Sequence, residues 1–372
     1  MGQALDQAAP TLVPVTPPVR RPTSADVAAL AGVSRATVSM VLNGRVAGTV
    51  AAATQQRVLE AAEQLGYTRS ALAISLKQQH TRTIGLITDE IATSPFAGRM
   101  VRAASMAAAR NDYMVITVDL SLRDHSVADA ARLLAERQVD GLLYATMGRV
   151  RVSVPRMPPG LPLVLLNCEL ADDVPASERL PTVVPDDYGG ARRAARRLVE
   201  TGHQRVVMLS GDDPYLAVAE REAGFRDELE RAGVPVRIIT TGWQMDDGYR
   251  ETSRLLAEDQ PPTGLFSIRD RVAAGAIHAA ACAGLQVPRD LSVIGFDDED
   301  FFAEKLTPPL TTMALPHELM GQRAMSLLLE RLEPADDGAQ GGAGAPEAFP
   351  RERFLIDCPL VERESVARPP LD

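Results

Sequence analysis

Aromatic residues are scarce in this chain, 4% of 372 residues, and there is a single tryptophan, Trp243. Cysteine is scarcer still: Cys168, Cys282 and Cys358 are odd in number, far apart and set in apolar surroundings. That excludes a disulfide framework and reads as three buried thiols. The five histidines, at 80, 125, 203, 278 and 317, show no metal-ligand spacing, so no metal and no cofactor is expected. No apolar run approaches the roughly 20 residues of a membrane span. The start, broken by Pro10, Pro14, Pro17, Pro18 and Pro22, holds no signal-peptide core. A cytoplasmic protein with no membrane partner is therefore expected. Also missing are a Gly-x-Ser-x-Gly elbow, a Gly-x-x-x-x-Gly-Lys-Ser/Thr phosphate loop and a Gly-x-Gly-x-x-Gly turn after a strand. These absences argue against the common hydrolase, nucleotide-hydrolysing and dinucleotide-dependent enzymes.

What is present is unevenly distributed. The net charge is −10, yet residues 1–82 carry Arg20, Arg21, Arg35, Arg45, Arg57, Arg69, Lys77 and Arg82 against Asp6, Asp26, Glu60 and Glu63. The first segment is thus +4 and the remainder −14. A cationic end attracts phosphates, while an acidic body discourages nonspecific adsorption to nucleic acid.

Within the cationic end, Ala31 to Asn43 reads Ala-Gly-Val-Ser-Arg-Ala-Thr-Val-Ser-Met-Val-Leu-Asn. Thr23 or Ser24 caps a first helix in which Val27, Leu30 and Ala31 recur at helical spacing, and Gly32 permits a sharp turn. Ser34 then caps a second helix. Val38, Val41 and Leu42 share one face of it, leaving Arg35, Ala36, Ser39 and Met40 outward, as a helix entering a major groove requires. Val58, Ala62 and Leu65 supply the buried face of a third helix. The pattern is a helix-turn-helix.

From Thr83 onward, short apolar runs alternate with helical segments. Ile84–Ile87, Met114–Val118, Gly141–Tyr144 and Leu163–Leu166 form one set of strands. Val206–Leu209, Val236–Ile239, Leu265–Ile268 and Ser292–Phe296 form a second. Two successive alternations predict two doubly wound parallel sheets, with a ligand cleft where their strand ends face each other. The Gly/Ala/Asp-rich stretch 334–350 reads as a surface loop before a last strand at Phe354–Ile356.

Asp26-Val27-Ala28 through Thr37-Val38-Ser39, then Val41-Leu42-Asn43 and Leu65-Gly66-Tyr67, resemble the LacI/GalR family of bacterial transcription regulators, and the resemblance runs to about residue 361. It implies an α/β protein: a helix-turn-helix head joined by a hinge helix to a periplasmic-binding-protein-like core. The implied layout is a leader (1–21), a DNA-binding domain (22–68), a hinge and linker (69–82), a core (83–361) and a tail (362–372). The core would divide into an N-subdomain of 83–182 and 314–340 and a C-subdomain of 183–313 and 350–361. By resemblance Ser34, Arg35, Ala36, Thr37, Ser39, Met40 and Asn43 face DNA, and Leu76 of the hinge helix is a wedge that enters a minor-groove step. Met40 stands where many members carry a base-reading Arg, which points to thymine-methyl or shape readout instead. Arg69-Ser70 replaces the usual Pro-Asn, and Ala51 a capping Ser, which Thr49 and Ser70 can offset.

In the cleft the resemblance places Trp243 against the apolar face of a sugar ring, the Arg221 fork on ligand hydroxyls and Asp297 as their acceptor. Asn167, Asp270 and Arg269 sit at strand ends that match family ligand positions, and Asp89 and Phe96 follow the first core strand. Asn167 and Asp270 fit a cap or turn equally well, and Phe96 fits a helix cap. Arg269, where Asn is commoner, implies an acidic or phosphorylated effector, or else pairs with Asp297 or Asp270. His317 and Leu315 fill positions that are often aromatic or amide, and His203 matches a structural turn.

The expected protein is a homodimeric, non-enzymatic regulator, a repressor that binds a pseudo-palindromic double-stranded operator under control of a small effector, a carbohydrate or sugar acid. The alternatives are an activator or a regulator governed by a partner protein or non-sugar ligand, and a ligand-binding module with a vestigial head. Deleting residues 1–82 is expected to abolish operator binding and leave a folded core. Gel-shift titration of the truncated and full chains decides this, with the full chain's affinity falling steeply with salt as counterions are released. Specific DNA binding by the truncated chain would overturn the assignment.

Overall fold

A computed structural model of the chain describes residues 20, 22–44, 49–67, 80–89, 91, 98–122, 126–154, 157–158, 160–171, 180–212, 215–333 and 353–370. Leu76 with the rest of 68–79, Phe96, the loop 334–350 and the leader apart from Arg20 lie outside the described residues. The chain forms two compact units, one ending at Gln79 and one beginning at His80.

Among the described residues the first unit holds three helices, α1 (Ser24–Ala31), α2 (Arg35–Leu42) and α3 (Ala52–Gln64). Thr23 caps α1 reciprocally: its side chain accepts from the Asp26 amide while the Asp26 carboxylate accepts from the Thr23 amide at 2.7 Å. Gly32 ends the helix at φ 66°, a left-handed conformation that costs glycine nothing, and α2 leaves at 102° to α1. Ser34 Oγ accepts from the Thr37 amide at 3.1 Å. Ala51 caps α3 with no side-chain hydrogen bond. The core is Val27, Ala28, Ala31, Val38, Val41, Val58, Ala61 and Ala62. Leu30 departs from the sequence expectation and is 48% exposed. The buried stripe of α1 runs through 27, 28 and 31, about 100° away from Leu30 around the helix.

The second unit holds two mainly parallel sheets, as expected, each of six strands among the described residues. The first runs in the order β11-β5-β4-β3-β1-β2. Its strands are β1 (Thr83–Thr88), β2 (Met114–Asp119), β3 (Gly141–Val152), β4 (Leu163–Leu170), β5 (Thr182–Pro185) and β11 (Arg353–Ile356), all paired in parallel. The second runs β12-β10-β9-β8-β6-β7, from β6 (Val206–Ser210), β7 (Ile238–Thr240), β8 (Gly264–Ser267), β9 (Ser292–Asp297), β10 (Thr311–Ala314) and β12 (Leu360–Val361). Only β12 is antiparallel to its neighbour. Helices cover both sheets: α4 (Gly98–Arg110), α5 (Val127–Glu136), α6 (Asp187–Glu200), α7 (Leu216–Ala232), α8 (Met245–Leu256), α9 (Asp270–Cys282) and α10 (His317–Leu332). Because helices lie on both faces, inner strands such as β1, β6 and β9 are buried at every residue and read as unbroken apolar runs.

The chain passes between the sheets at 185–187, 314–317 and 356–360. The subdomain boundaries therefore move: β5 and β11 belong to the first sheet, although 350–361 was expected in the C-subdomain. Strand β11 is short with an alternating exposure pattern, so its residues do not reveal which sheet it joins; its register with β5 does. Residues 365–367 of the tail are tied to the second sheet and its flank. Buried Ser365 donates to the Val293 carbonyl at 2.6 Å, and His203, hydrogen-bonded to Thr263 and Ser292, meets the Ala367 carbonyl. Cys168 and Cys358 are buried, but Cys282, at the end of α9, is exposed. Among the described residues no single helix is long and apolar enough to cross a membrane.

Helices α8 and α9 cross at Gly248 and Gly275, where a Cβ on either would run into the other helix's backbone. Replacing Gly275 with Ala must push the pair apart and is expected to cost about 1–3 kcal/mol, read by urea denaturation. A loss below roughly 0.5 kcal/mol would mean that the helices separate freely.

Candidate functional site

The helix-turn-helix presents one polar surface. On α2 Arg35, Ala36, Ser39 and Asn43 are exposed and Thr37 and Met40 half-buried, while Val38 and Val41 face the core. Ser34 and Thr37 hydroxyls meet at 2.9 Å, and Asn43 Nδ2 donates to Ser39, so the start and end of the helix are fixed by its own side chains.

In the second unit a cavity of about 290 Å³ lies where the two sheets' strand ends face each other. Trp243, Arg221, Asp297, Arg269 and Asn167 all line it, together with His317 and Leu315. Trp243 is half-buried and stands edge to face with Tyr215, ring centres 5.2 Å apart. Gly211 leaves the room for its ring: a Cβ there would occupy the indole's position. Arg221 projects from α7 over the Phe296 ring, 3.6 Å from its centre. Its Nε donates to Asp187 Oδ1 at 2.8 Å and its Nη1 to the Ile268 carbonyl. These bonds leave Nη2 unspent on a residue that lines the cavity.

Asp297 ends β9 at φ 122°, buried, with Arg269 Nε at 3.5 Å and Arg221 Nη1 at 3.9 Å. Burial pushes its carboxyl up to about 6, against the pull of the Arg269 and Arg221 guanidiniums. Burial pushes the His317 imidazole down to about 3, helped by Arg99 and Arg221, so it is neutral at physiological pH. Arg269 pairs with Asp297 and also, at 3.8 Å, with Glu299.

Three sequence expectations change. Asp270 is not on the cavity wall: it is fully buried, accepting from Thr312 Oγ1 at 2.5 Å and from the Glu299 amide at 2.8 Å. It joins β9, β10 and the start of α9, and burial together with Asp297 raises its carboxyl well above the usual range. Asp89 is likewise off the wall and accepts from the Met147 amide at 2.7 Å. Asn167 lines the cavity, but its Nδ2 is committed to the Thr146 and Met147 carbonyls at 3.0 Å, leaving only Oδ1. Asp298 pairs with Arg363 at 2.7 Å. Sequence reasoning missed Tyr215, Arg149 and Asp187 on the wall. Each meets its partners across tens of residues, so no local pattern marks it.

The guanidinium wall is not a net cation. Every arginine on it touches at least one carboxylate, Asp187, Asp297 or Glu299 among them. Among the described residues no group of acidic, His or Cys side chains has metal-holding geometry.

A helix-turn-helix joined in one chain to a two-sheet core with a polar cleft defines a class of regulators rather than of enzymes. Residues 23–70 match the family model for bacterial regulatory proteins of the lacI family, and residues 195–366 that for a periplasmic binding protein-like domain. The chain is 33% identical to the transcriptional repressor PurR of Vibrio parahaemolyticus over 83% of its length and 91% of the relative's. It is also 33% identical to the repressor CytR of Escherichia coli K12, over 92% and 96%. Among solved structures, the lac repressor dimer bound to operator and the anti-inducer ONPF superposes with TM-score 0.74 at 27% identity, covering 94% of this chain and all of that one. The chain belongs to the LacI family, and it is a DNA-binding transcriptional repressor, not an enzyme.

Because Arg269 is the largest force holding the buried Asp297 carboxyl down, Arg269→Met is expected to raise its pKa above 6. Carboxyl NMR of aspartate-labelled protein reads the shift. An unchanged titration would mean the guanidinium is screened from Asp297.

Proposed function

We propose that this repressor's operator binding is controlled by a small neutral polyhydroxylated effector, a sugar, held in the cavity between the two sheets. The observation that carries the reading is the convergence of three complementary groups on one wall: the Trp243 face, the Arg221 donor and the Asp297 acceptor. An apolar ring face stacks on an aromatic, while vicinal hydroxyls pair with a donor fork and a carboxylate. The sugar-acid alternative rested on Arg269 as a spare cation. Its pairing with Asp297 and Glu299 removes that support and favours a neutral ligand.

In this reading α2 enters the major groove with Arg35, Ala36, Thr37, Ser39, Met40 and Asn43 toward the bases and Ser34 at its cap, and Leu76 acts as the hinge wedge. One such helix reads one half-site, so the protein works as a homodimer on a pseudo-palindromic operator in the cytoplasm. Support for a dimer comes from exposed apolar side chains on α8, Met245 and Tyr249.

A thermal-shift panel of neutral sugars, nucleosides, sugar acids and sugar phosphates tests the ligand class. A neutral sugar at about 100 times its Kd is expected to stabilise the folded state by roughly 2.7 kcal/mol. Asp297→Ala should weaken that binding by about 1.5–3 kcal/mol, the value of hydrogen bonds to a charged group. Wild-type affinity should also fall as pH drops through about 6, where the Asp297 carboxylate takes up its proton. Stabilisation by sugar acids or phosphates alone would overturn the neutral-ligand reading.

A further inference from the structure

Arg149 sits where the register of β3 against β4 shifts between Ala145 and Val150, a bulge that re-aims the side chain. Its side chain is 2% exposed. Nε and Nη2 donate to Glu169 Oε1, Nη1 to Asp187 Oδ2 at 2.9 Å and Glu220 Oε2 at 2.6 Å, and Nη2 to Glu220 Oε1 at 2.7 Å. A guanidinium has five N–H donors, and all five are spent on these three carboxylates. Although it lies on the cavity wall, Arg149 has nothing left to offer a ligand.

Its partners come from both halves of the core. Glu169 on β4 and Arg353 on β11 belong to the first sheet, as Arg149 does, whereas Asp187 on α6 and Glu220 on α7 belong to helices packed with the second sheet. Arg353 closes the cluster, 2.5 Å from Glu220 and 3.6 Å from Glu169. Asp187 is shared: its Oδ2 takes Arg149 and its Oδ1 takes Arg221. Beside it the Tyr215 ring from the second half occupies the space a Gly148 side chain would need, so the same seam is closed by packing as well.

We propose that this cluster is a latch between the two subdomains and that Arg149 is a positioning residue for the cleft, holding it closed and, through Asp187, aiming Arg221 into it. The inference rests on the cleft reading above for its purpose, though not for its test. Without Arg149, Asp187 keeps only Arg221, and Glu169 and Glu220 keep only the part-exposed Arg353, so the three carboxylates lose the charge they share and their repulsion is relieved by opening to water. The Arg99–Asp300 pair, 3.1 Å apart across the same cleft, has Asp300 half-exposed and holds far less.

Trp243, the only tryptophan, lies on the cavity wall and reports closure by itself. The full chain and its Arg149→Met, Arg149→Lys and Glu220→Gln variants are compared by acrylamide quenching of tryptophan fluorescence and by small-angle scattering, with urea melts to confirm folding. Arg149→Met is expected to raise the quenching constant about twofold or more as the open population grows, with a larger radius of gyration. Glu220→Gln, which loses its charge and one of its two bonds to Arg149, and Arg149→Lys, which cannot bridge as a fork, should fall between. Wild-type quenching and radius in both Arg149→Met and Glu220→Gln would overturn the latch. Should Arg149→Met not fold, Glu220→Gln decides alone, its carboxylate being 28% exposed and tolerant of change. No effector enters the measurement, so a failed effector screen and a failed latch are separate results.

Discussion

The cleft depends on how buried guanidiniums are neutralised. Arg149 and Arg221 are almost wholly removed from water and share the fully buried Asp187. An isolated buried charge costs several kcal/mol even after relaxation, so neither arginine persists there without its acid. The chain meets this by alternating sign along the wall: Glu169 and Glu220 around Arg149, Asp187 between the two arginines, then Asp297, Arg269 and Glu299. Only a few donors and acceptors survive this pairing, Arg221 Nη2 and the Asp297 carboxylate foremost. Neutralisation thus sets what the wall has left, single donors and acceptors rather than an unpaired cation.

The same electrostatics separates residues that sequence position makes look alike. Asp297 is the last residue of β9 and Asp270 comes just after β8. Asp297 adopts φ 122° and turns toward the arginines, whereas the next residue of its own strand end, Asp298, turns out to Arg363. Asp270 begins α9 and points inward to Thr312 and the Glu299 amide, against Gly295, which has no side chain to exclude it. One carboxylate lines the cavity and the other fastens the strand ends around it.

What the sequence makes legible follows from range. The helix-turn-helix was readable because its determinants are local: the Thr23–Asp26 box, Gly32 at φ 66° and the Ser34 cap act within four residues. Leu30 misled because a three-residue step fits a helical face but not this narrow stripe. The two-sheet architecture was readable from its apolar runs, yet β11 was assigned to the wrong subdomain because edge strands carry no such run. Trp243, Arg221 and Asp297 were found through the family resemblance, and the structure brings them onto one wall. Arg149 and Asp187 were invisible: their partners lie 20 to 71 residues away, and an arginine in a strand gives no sign of which carboxylates it will meet.

A hydrophobic seam between the subdomains would make a firmer joint than this cluster of charges. Replacing a buried ion pair with packed apolar residues is often neutral or stabilising, because the desolvation of the charges offsets most of their attraction. In a protein that must respond to a ligand, that near-balance is useful. A ligand shifts a two-state equilibrium only by its differential affinity, and moving it from 1:99 to 99:1 takes about 5.5 kcal/mol. A strongly apolar seam would place the open state out of reach of a small effector. A latch whose gain and cost nearly cancel keeps open and closed forms close in energy, within reach of the differential affinity of a small ligand.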